Sequence, residues 1–361
     1  MYLSAALGGL LVPFVTAFPA NTRSTECTPE TAVLRKEWSS MRDDDRKSYV
    51  SAIQCLMEKP SRYETGVVPA SNSLFSDFAA SHANVSLSIH QTGTFLSWHR
   101  EFLHLMEEAL HNECNYPAHL GLPYWDWPAY LDRPLDRSTL FDGSETSLGS
   151  NGASVPDRPP WTITPEESNQ LNREIPPGAT IPRGSGGGCI EKGPFANTQV
   201  YLGPFPPPII SSGLPPNWTE PNPQCLTRDL NDWALRTFND ATRVDSLLSA
   251  TNIEDFQYGF NPIHRGGHIT VGGQLADFYV SPLEPAFYLH HGQIDRLWTI
   301  WQAEDEARRM QFNGTSTFQN PVGESPEVAG HTVITFVPLG ESIQLKDAAN
   351  PMGGRYCYRY V

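Results

Sequence analysis

Two groups of three histidines are the residues of this chain best suited to chemistry. His264 and His268 stand four apart in Asn261-Pro-Ile-His-Arg-Gly-Gly-His268, and a second run, Glu284-Pro-Ala-Phe-Tyr-Leu-His-His291-Gly-Gln-Ile-Asp295, lies downstream. Upstream lie His82, His90 and His99, the last within Phe95-Leu-Ser-Trp-His-Arg100. Three neutral nitrogen donors and one open position suit a metal ion, and two such groups suit a pair of ions. Nitrogen ligands without a carboxylate favour copper or zinc over calcium, magnesium or manganese. The chemistry expected is that of a redox pair meeting dioxygen.

Spacing supports part of this directly. Residues four apart share one face of a helix, so the imidazoles of His264 and His268 can reach one ion. Arg265 stands where a zinc-protease motif would carry its glutamate base, which sets the motif apart from that class. Gly266 and Gly267 are poor helix formers that let another backbone or a substrate come close. Taken singly, each histidine has a plainer reading. His99 and His291, flanked by aromatics, would serve as core histidines, and His82 and His90 as loop histidines in a polar segment. His104, His111, His119 and His331 read as surface or structural residues.

The elements that must position these groups read as mainly helical. Apolar spacing predicts one or two helices over 29–59, starting near Thr28-Pro-Glu-Thr31, and another over Phe95–Cys114. Helical patterning returns over Leu226–Leu248 and Pro285–Met310, where Phe287, His291, Ile294, Trp298 and Trp301 share roughly one face. Thr332–Val337 and Arg355–Tyr360 read as short strands. Residues 132–224 are dense in Pro, Gly and Ser and read as an irregular insertion packed on the core, with Cys189 and Cys225 placed to pin it.

A chain of 361 residues can bury a sizeable core. Its net charge of −15, with no long basic run, argues against nucleic acid as a partner. Residues 1–17 form an apolar run ending in Val15-Thr-Ala17, the character of a secretory signal, so the mature chain is expected outside the cell. No later segment is apolar enough to span a bilayer. The six cysteines contain no C-x-x-C and fit three disulfides; of fifteen possible pairings, the one favoured joins Cys27 to Cys357. Asn84, Asn217 and Asn313 head glycosylation sequons.

The combined pattern is far more specific than its parts. His90-x4-Phe95-Leu-x-Trp98-His99-Arg100-x2-Leu103-x3-Glu107 resembles the first copper signature of the tyrosinase family. Glu284-Pro-x-Phe287-Tyr-x-x-His291-x3-Asp295 resembles the second, with Glu284 where the family usually has Asp. Leu34-Arg-Lys-Glu-Trp38, Leu122-Pro-Tyr-Trp-Asp-Trp127, Val271-Gly-Gly273 and Tyr356-Cys-Tyr358 extend the likeness over about 30–361.

The resemblance implies one tyrosinase-type core over 18–361: an antiparallel four-helix bundle housing a dicopper site, with long irregular loops and a few short strands. Bundle interiors are a common place for such sites. It makes His82, His90 and His99 the ligands of one copper and His264, His268 and His291 those of the other, with His290 a neighbour of the ligand position. It gives Glu254, with Asp255 as rival, the role of holding a water near the second copper and accepting a phenolic proton. Asp295, one turn after His291, is the expected partner fixing imidazole orientation. Ser88 stands where many fungal members carry a cysteine crosslinked to the second ligand, so His90 is expected to be oriented by packing alone. The chain stops soon after its tyrosine motif, so no C-terminal plug domain is expected.

The activity implied is that of a polyphenol oxidase, in which two coppers and dioxygen convert o-diphenols to o-quinones, with weak ortho-hydroxylation of monophenols at most. Arg265 comes directly after the first ligand of the second copper, where Asn or Asp is often linked to monophenol activity. As a donor that cannot act as a base, it favours diphenols, or pairs with an acidic or methoxylated phenol. Partners are small phenols, and the expected state is a monomer or weak dimer. The alternatives are a haemocyanin-like oxygen carrier without catalysis and, more remotely, a zinc hydrolase.

Overall fold

The computed structural model describes residues 26–205, 212–319 and 323–361; the signal segment expected over 1–17 lies outside them. Four long helices carry the histidines: α2 (Leu74–Ile89), α3 (Phe95–Cys114), α7 (Ile253–Val271) and α8 (Ala286–Ala303). Around them lie α1 (Asp43–Glu58), the short α4 (Pro165–Gln170), α5 (Asp232–Phe238) and α6 (Ala241–Leu248). Several short 3-10 helices and five two-stranded pairings accompany them, among the latter parallel β1 (Val33–Arg35) with β2 (Tyr358–Tyr360). Among the described residues no helix is long and apolar enough to cross a membrane.

Local sequence accounts for the helix ends. Ser73 opens α2 with a capping box to Ser76, and Asn252 opens α7 by accepting the Asp255 N–H. Glu284 serves α8 differently. Its Oε1 accepts the Ala286 N–H and the Arg228 guanidinium at 2.6 Å, with both side chains fully buried. The longer carboxylate is thus built into the start of the helix. Pro262 lies inside α7, where its missing N–H frees the Tyr258 carbonyl. Asn172, from the loop-rich segment, donates to that carbonyl at 2.6 Å.

The structure departs from the expected elements in three places. Residues 28–31 form a turn and 33–35 a strand, so the first helix begins only at Asp43. The cause is non-local: β1 is held by β2 and by the Cys27–Cys357 disulfide. Residues 226–231 are not helical, and the helix expected there is two shorter ones, α5 and α6, divided because Asp240 accepts the Arg243 N–H as a cap. The last long helix ends at Ala303, where Asp305 starts a separate 3-10 turn. His82, read singly as a loop histidine, stands inside α2 and is fully buried.

The other disulfides are Cys55–Cys114, joining α1 to the end of α3, and Cys189–Cys225, which pins the loop-rich segment as expected. Most buried apolar residues of that segment, including Phe141, Ile190, Phe195 and Leu202, join the main core. Ile163, Leu171 and Ile181 form a small cluster with Phe238 and Ile269.

Candidate metal centre

The bundle interior brings both histidine trios together. The potential ligand atoms of His82, His90 and His99 lie within 4.8 Å of one another, as do those of His264, His268, His291 and the neighbouring His290. His82 comes from α2, His90 from its C-cap and His99 from the early part of α3. His264 and His268 share a face of α7, and His291 comes from α8. The trios face each other: the rings of His99 and His291 stack at 4.4 Å, and those of His90 and His264 lie parallel at 6.1 Å.

Hydrogen bonds orient the rings. Nδ1 of His82 lies 2.7 Å from the Tyr279 carbonyl, Nδ1 of His90 2.9 Å from that of Ser86, and Nδ1 of His99 2.9 Å from that of Phe95. Nδ1 of His268 lies 2.6 Å from the Leu275 carbonyl. A carbonyl only accepts, so each Nδ1 carries the proton and each Nε2 presents a lone pair. Nε2 of His82 and of His99 is buried without a partner. Nε2 of His268 lies 2.8 Å from that of His264 and 3.4 Å from that of His291. Lone pairs so close repel unless a proton or cation lies among them.

Burial keeps these imidazoles neutral. It pushes His82, His99, His264, His268 and His291 well below the usual histidine range, and His90 to about 4. Neutral, convergent and buried except for the half-buried His264, both donor sets fit a nitrogen-preferring metal. His290 is different. Its Nε2 donates to the His264 carbonyl at 3.1 Å, which turns that nitrogen away from the trio.

Two expected neighbours lie elsewhere. The Asp295 carboxylate bonds no imidazole among the described residues; it accepts from Arg100 (2.6 Å), Tyr358 (2.6 Å), Tyr360 (2.6 Å) and Arg35 (3.3 Å). Backbone carbonyls orient the rings instead. Glu254 and Asp255 are exposed in the first turn of α7. Glu254 is ten residues before His264, about 15 Å along a helix axis, so it cannot hold a water at the site. His90 is also oriented by more than packing, since Ser86 holds its Nδ1. Ser88 donates to the Val85 carbonyl.

His90, His264 and His268 open on a pocket walled by Gln91, Gln170, Asn261, Arg265, Asp277 and Phe278. Arg265 is buried and pairs with Glu167 at 2.7 Å while donating to the Ala276 carbonyl. Burial pushes the Asp277 carboxyl up to about 6, although it accepts the backbone N–H groups of Phe205, Tyr279 and Val280. Gln170, Asp277 and Glu167 were missed by sequence reasoning. They lie in or beside irregular segments, where no periodicity marks an inward side.

The groups that come close to Gly266 and Gly267 are side chains, not the backbone or substrate expected there. A Cβ on Gly267 would lie 2.1 Å from His290 Cε1, and one on Gly266 2.1 Å from Phe238 Cβ.

Comparison with known proteins agrees with this geometry. Residues 72–304 match the family described as the common central domain of tyrosinase. Tyrosinase P of Aspergillus terreus is 42% identical over 339 residues, covering 91% of this chain and 92% of that protein. N-acetyl-6-hydroxytryptophan oxidase ivoB of Emericella nidulans is 35% identical, covering 100% of both. A polyphenol oxidase from Thermothelomyces thermophila superposes with a TM-score of 0.82 at 35% identity, covering 93% of this chain and 90% of that one. A fold with two buried histidine trios and relatives of these kinds places the chain in the tyrosinase family of copper oxidases, as an oxidoreductase.

Proposed function

We propose that this protein is a polyphenol oxidase that uses two copper ions and dioxygen to oxidise o-diphenols to o-quinones. His82, His90 and His99 would hold one copper, and His264, His268 and His291 the other. The copper pair supplies the two-electron exchange between diphenol and dioxygen. The carbonyls of Tyr279, Ser86, Phe95 and Leu275 fix four of the six rings, so little reorganisation remains when metal or substrate arrives. Phe95 and Phe278 give the pocket an apolar aromatic wall.

The observation that carries the reading is the convergence of unpartnered or closely opposed Nε2 atoms in two facing trios. A preference for diphenols is supported by Arg265, a donor that cannot act as a base, standing directly after His264 at the pocket. The Arg265 guanidinium is paired with Glu167, and both Asp277 oxygens accept backbone N–H groups. Monophenols need assisted proton removal and close ring placement, whereas diphenols need only electron transfer after proton loss. The relative named for N-acetyl-6-hydroxytryptophan puts N-acylated hydroxyaryl compounds among the substrates to test.

Elemental analysis should find two coppers per chain, and His99→Ala or His291→Ala should remove one and abolish catechol oxidation. One copper per active chain, or active protein containing only zinc, refutes the reading. In a substrate panel, catechols should react readily and tyrosine poorly or after a lag. Equal rates on both would overturn the diphenol preference and leave the copper assignment intact.

Three disulfides support an oxidising, extracellular setting, with 1–17 as the leader. Asn84 and Asn217 are exposed and suited to carry glycans, while the Asn313 side chain donates to Gln257. The working state proposed is a monomer or weak dimer, with 132–224 as an insertion of one core domain.

A further inference from the structure

The loop-rich segment places a residue in the pocket itself. α4 ends at Gln170, which is 7% exposed and lines the pocket onto which His90, His264 and His268 open. Its Oε1 is buried without a hydrogen-bond partner. Gln91, next to His90, lines the same pocket, and its Nε2 donates to the Asn169 carbonyl at 3.0 Å. That bond settles which end of the amide is which. It leaves Gln91 Oε1 buried and unpartnered as well. Gln91 is also held at φ 47°, a left-handed conformation uncommon outside glycine.

Arg265 adds a group of opposite sense. Both of its Nη atoms are engaged, by Ala276 and Glu167, while its Nε is buried without a partner. Buried polar groups normally find partners, and those left over around a pocket are the complement of a ligand. The Gln170 amide makes no side-chain hydrogen bond among the described residues and can turn its oxygen to the same side as that of Gln91, so the three groups offer acceptors for an N–H and a donor for a carbonyl, the two polar ends of a secondary amide.

We propose that Gln91, Gln170 and Arg265 form a specificity subsite for phenols whose side chain carries an N-acylated amine. The amide N–H meets the glutamine oxygens, and the amide carbonyl meets Arg265 Nε. The subsite rests on the o-diphenol reading and narrows its substrate class.

The test uses copper-loaded protein and three catechols: ethylcatechol, N-acetyldopamine and N-methyl-N-acetyldopamine, in which a methyl group replaces the amide hydrogen. KM for N-acetyldopamine should be about three- to tenfold lower than for the N-methyl compound, the change made by one neutral hydrogen bond. In Gln170→Leu the ratio of these two KM values should fall towards one. N-acetylphenethylamine, which has no hydroxyl to oxidise, should bind by calorimetry more tightly than its N-methyl counterpart, and Gln170→Leu should erase that difference. Wild-type protein that does not distinguish N–H from N-methyl overturns the subsite without need of any variant. An unchanged ratio in Gln170→Leu overturns it too. Selective amide binding in a protein that oxidises no catechol would uphold the subsite and refute the oxidase reading alone.

Discussion

Replacing Asp295 by Asn should destabilise the protein far more than an ordinary polar exchange. Asp295 is the shared carboxylate of Arg100 on α3 and Arg35 on β1, and it also accepts the hydroxyls of Tyr358 and Tyr360. Both arginine side chains are fully buried. Arg35 would keep a second carboxylate, Glu107, at 2.9 Å. Arg100 would keep only neutral acceptors: Gln302, Thr299 and the carbonyls of Ala348 and Ala349. One buried cation therefore loses its only counter-charge among the described contacts. Breaking such a pair from one side costs roughly 3–5 kcal/mol, against a total stability of about 5–15 kcal/mol. Urea unfolding monitored by tryptophan fluorescence, at neutral pH with disulfides intact, measures the loss. Burial raises the Asp295 carboxyl, but Arg100 and Arg35 more than offset this and hold it below the usual range. Its contribution is thus complete above the unfolded value near pH 3.9 and fades as pH falls through the folded one. Because Arg100 adjoins His99 and Asp295 lies one turn beyond His291, copper retention should fall in parallel. A loss below about 1 kcal/mol, the range of an exposed pair, would refute this account of the hub.

The same geometry sets three further outcomes. Gly267→Ala drives a methyl group into His290, so it should cost about 1–3 kcal/mol and lower copper content; an unchanged melting temperature and two coppers per chain would contradict it. Arg265→Asn leaves Glu167 buried and unpaired and should destabilise by several kcal/mol; adding Glu167→Gln should restore much of the loss in denaturant titrations, and additive losses would refute the pairing. In metal-stripped protein, burial holds His82, His90, His99, His104, His264, His268, His290 and His291 below the usual range. The unfolded chain takes up protons first as pH drops, so stability is complete above about pH 6.5 and falls below it by up to about 1.4 kcal/mol per histidine per pH unit. A circular dichroism scan flat from neutral to about pH 4.5 would contradict that sum, and added copper should move the transition to lower pH.

The histidine trios were legible because aromatic-flanked helical motifs and an i, i+4 pair leave marks in the side-chain sequence. What orients them was not. The acceptors are main-chain carbonyls of Tyr279, Ser86, Phe95 and Leu275, and a carbonyl has no residue signature. Asp295 drew attention by lying one turn from His291, yet a helix offers several directions at that distance, and two arginines and two tyrosines claim it. The role given to Glu254 came from the family resemblance of its segment, and a short motif says nothing of the continuous α7 that separates it from His264. Val33–Arg35 could not be read as a strand locally, because its partner, Tyr358–Tyr360, lies at the other end of the chain. Gln170 sits in a segment whose shape depends on Cys189–Cys225 and on Asn172 reaching the carbonyl freed by Pro262.

The Cys27–Cys357 bond has a topological meaning beyond tying β1 to β2. With a sequence separation of 330, it makes nearly the whole described chain one covalent ring. Closing a loop of that size removes about 5–6 kcal/mol of unfolded-chain entropy in the loop-closure account. A single proteolytic nick at an exposed loop would then open the ring and leave one molecule, its halves parting only after reduction. The same adjacency of Cys27 and Cys357 means the chain could be rejoined there and reopened at a surface turn such as Gly178, whose surroundings are open, with every histidine still in place.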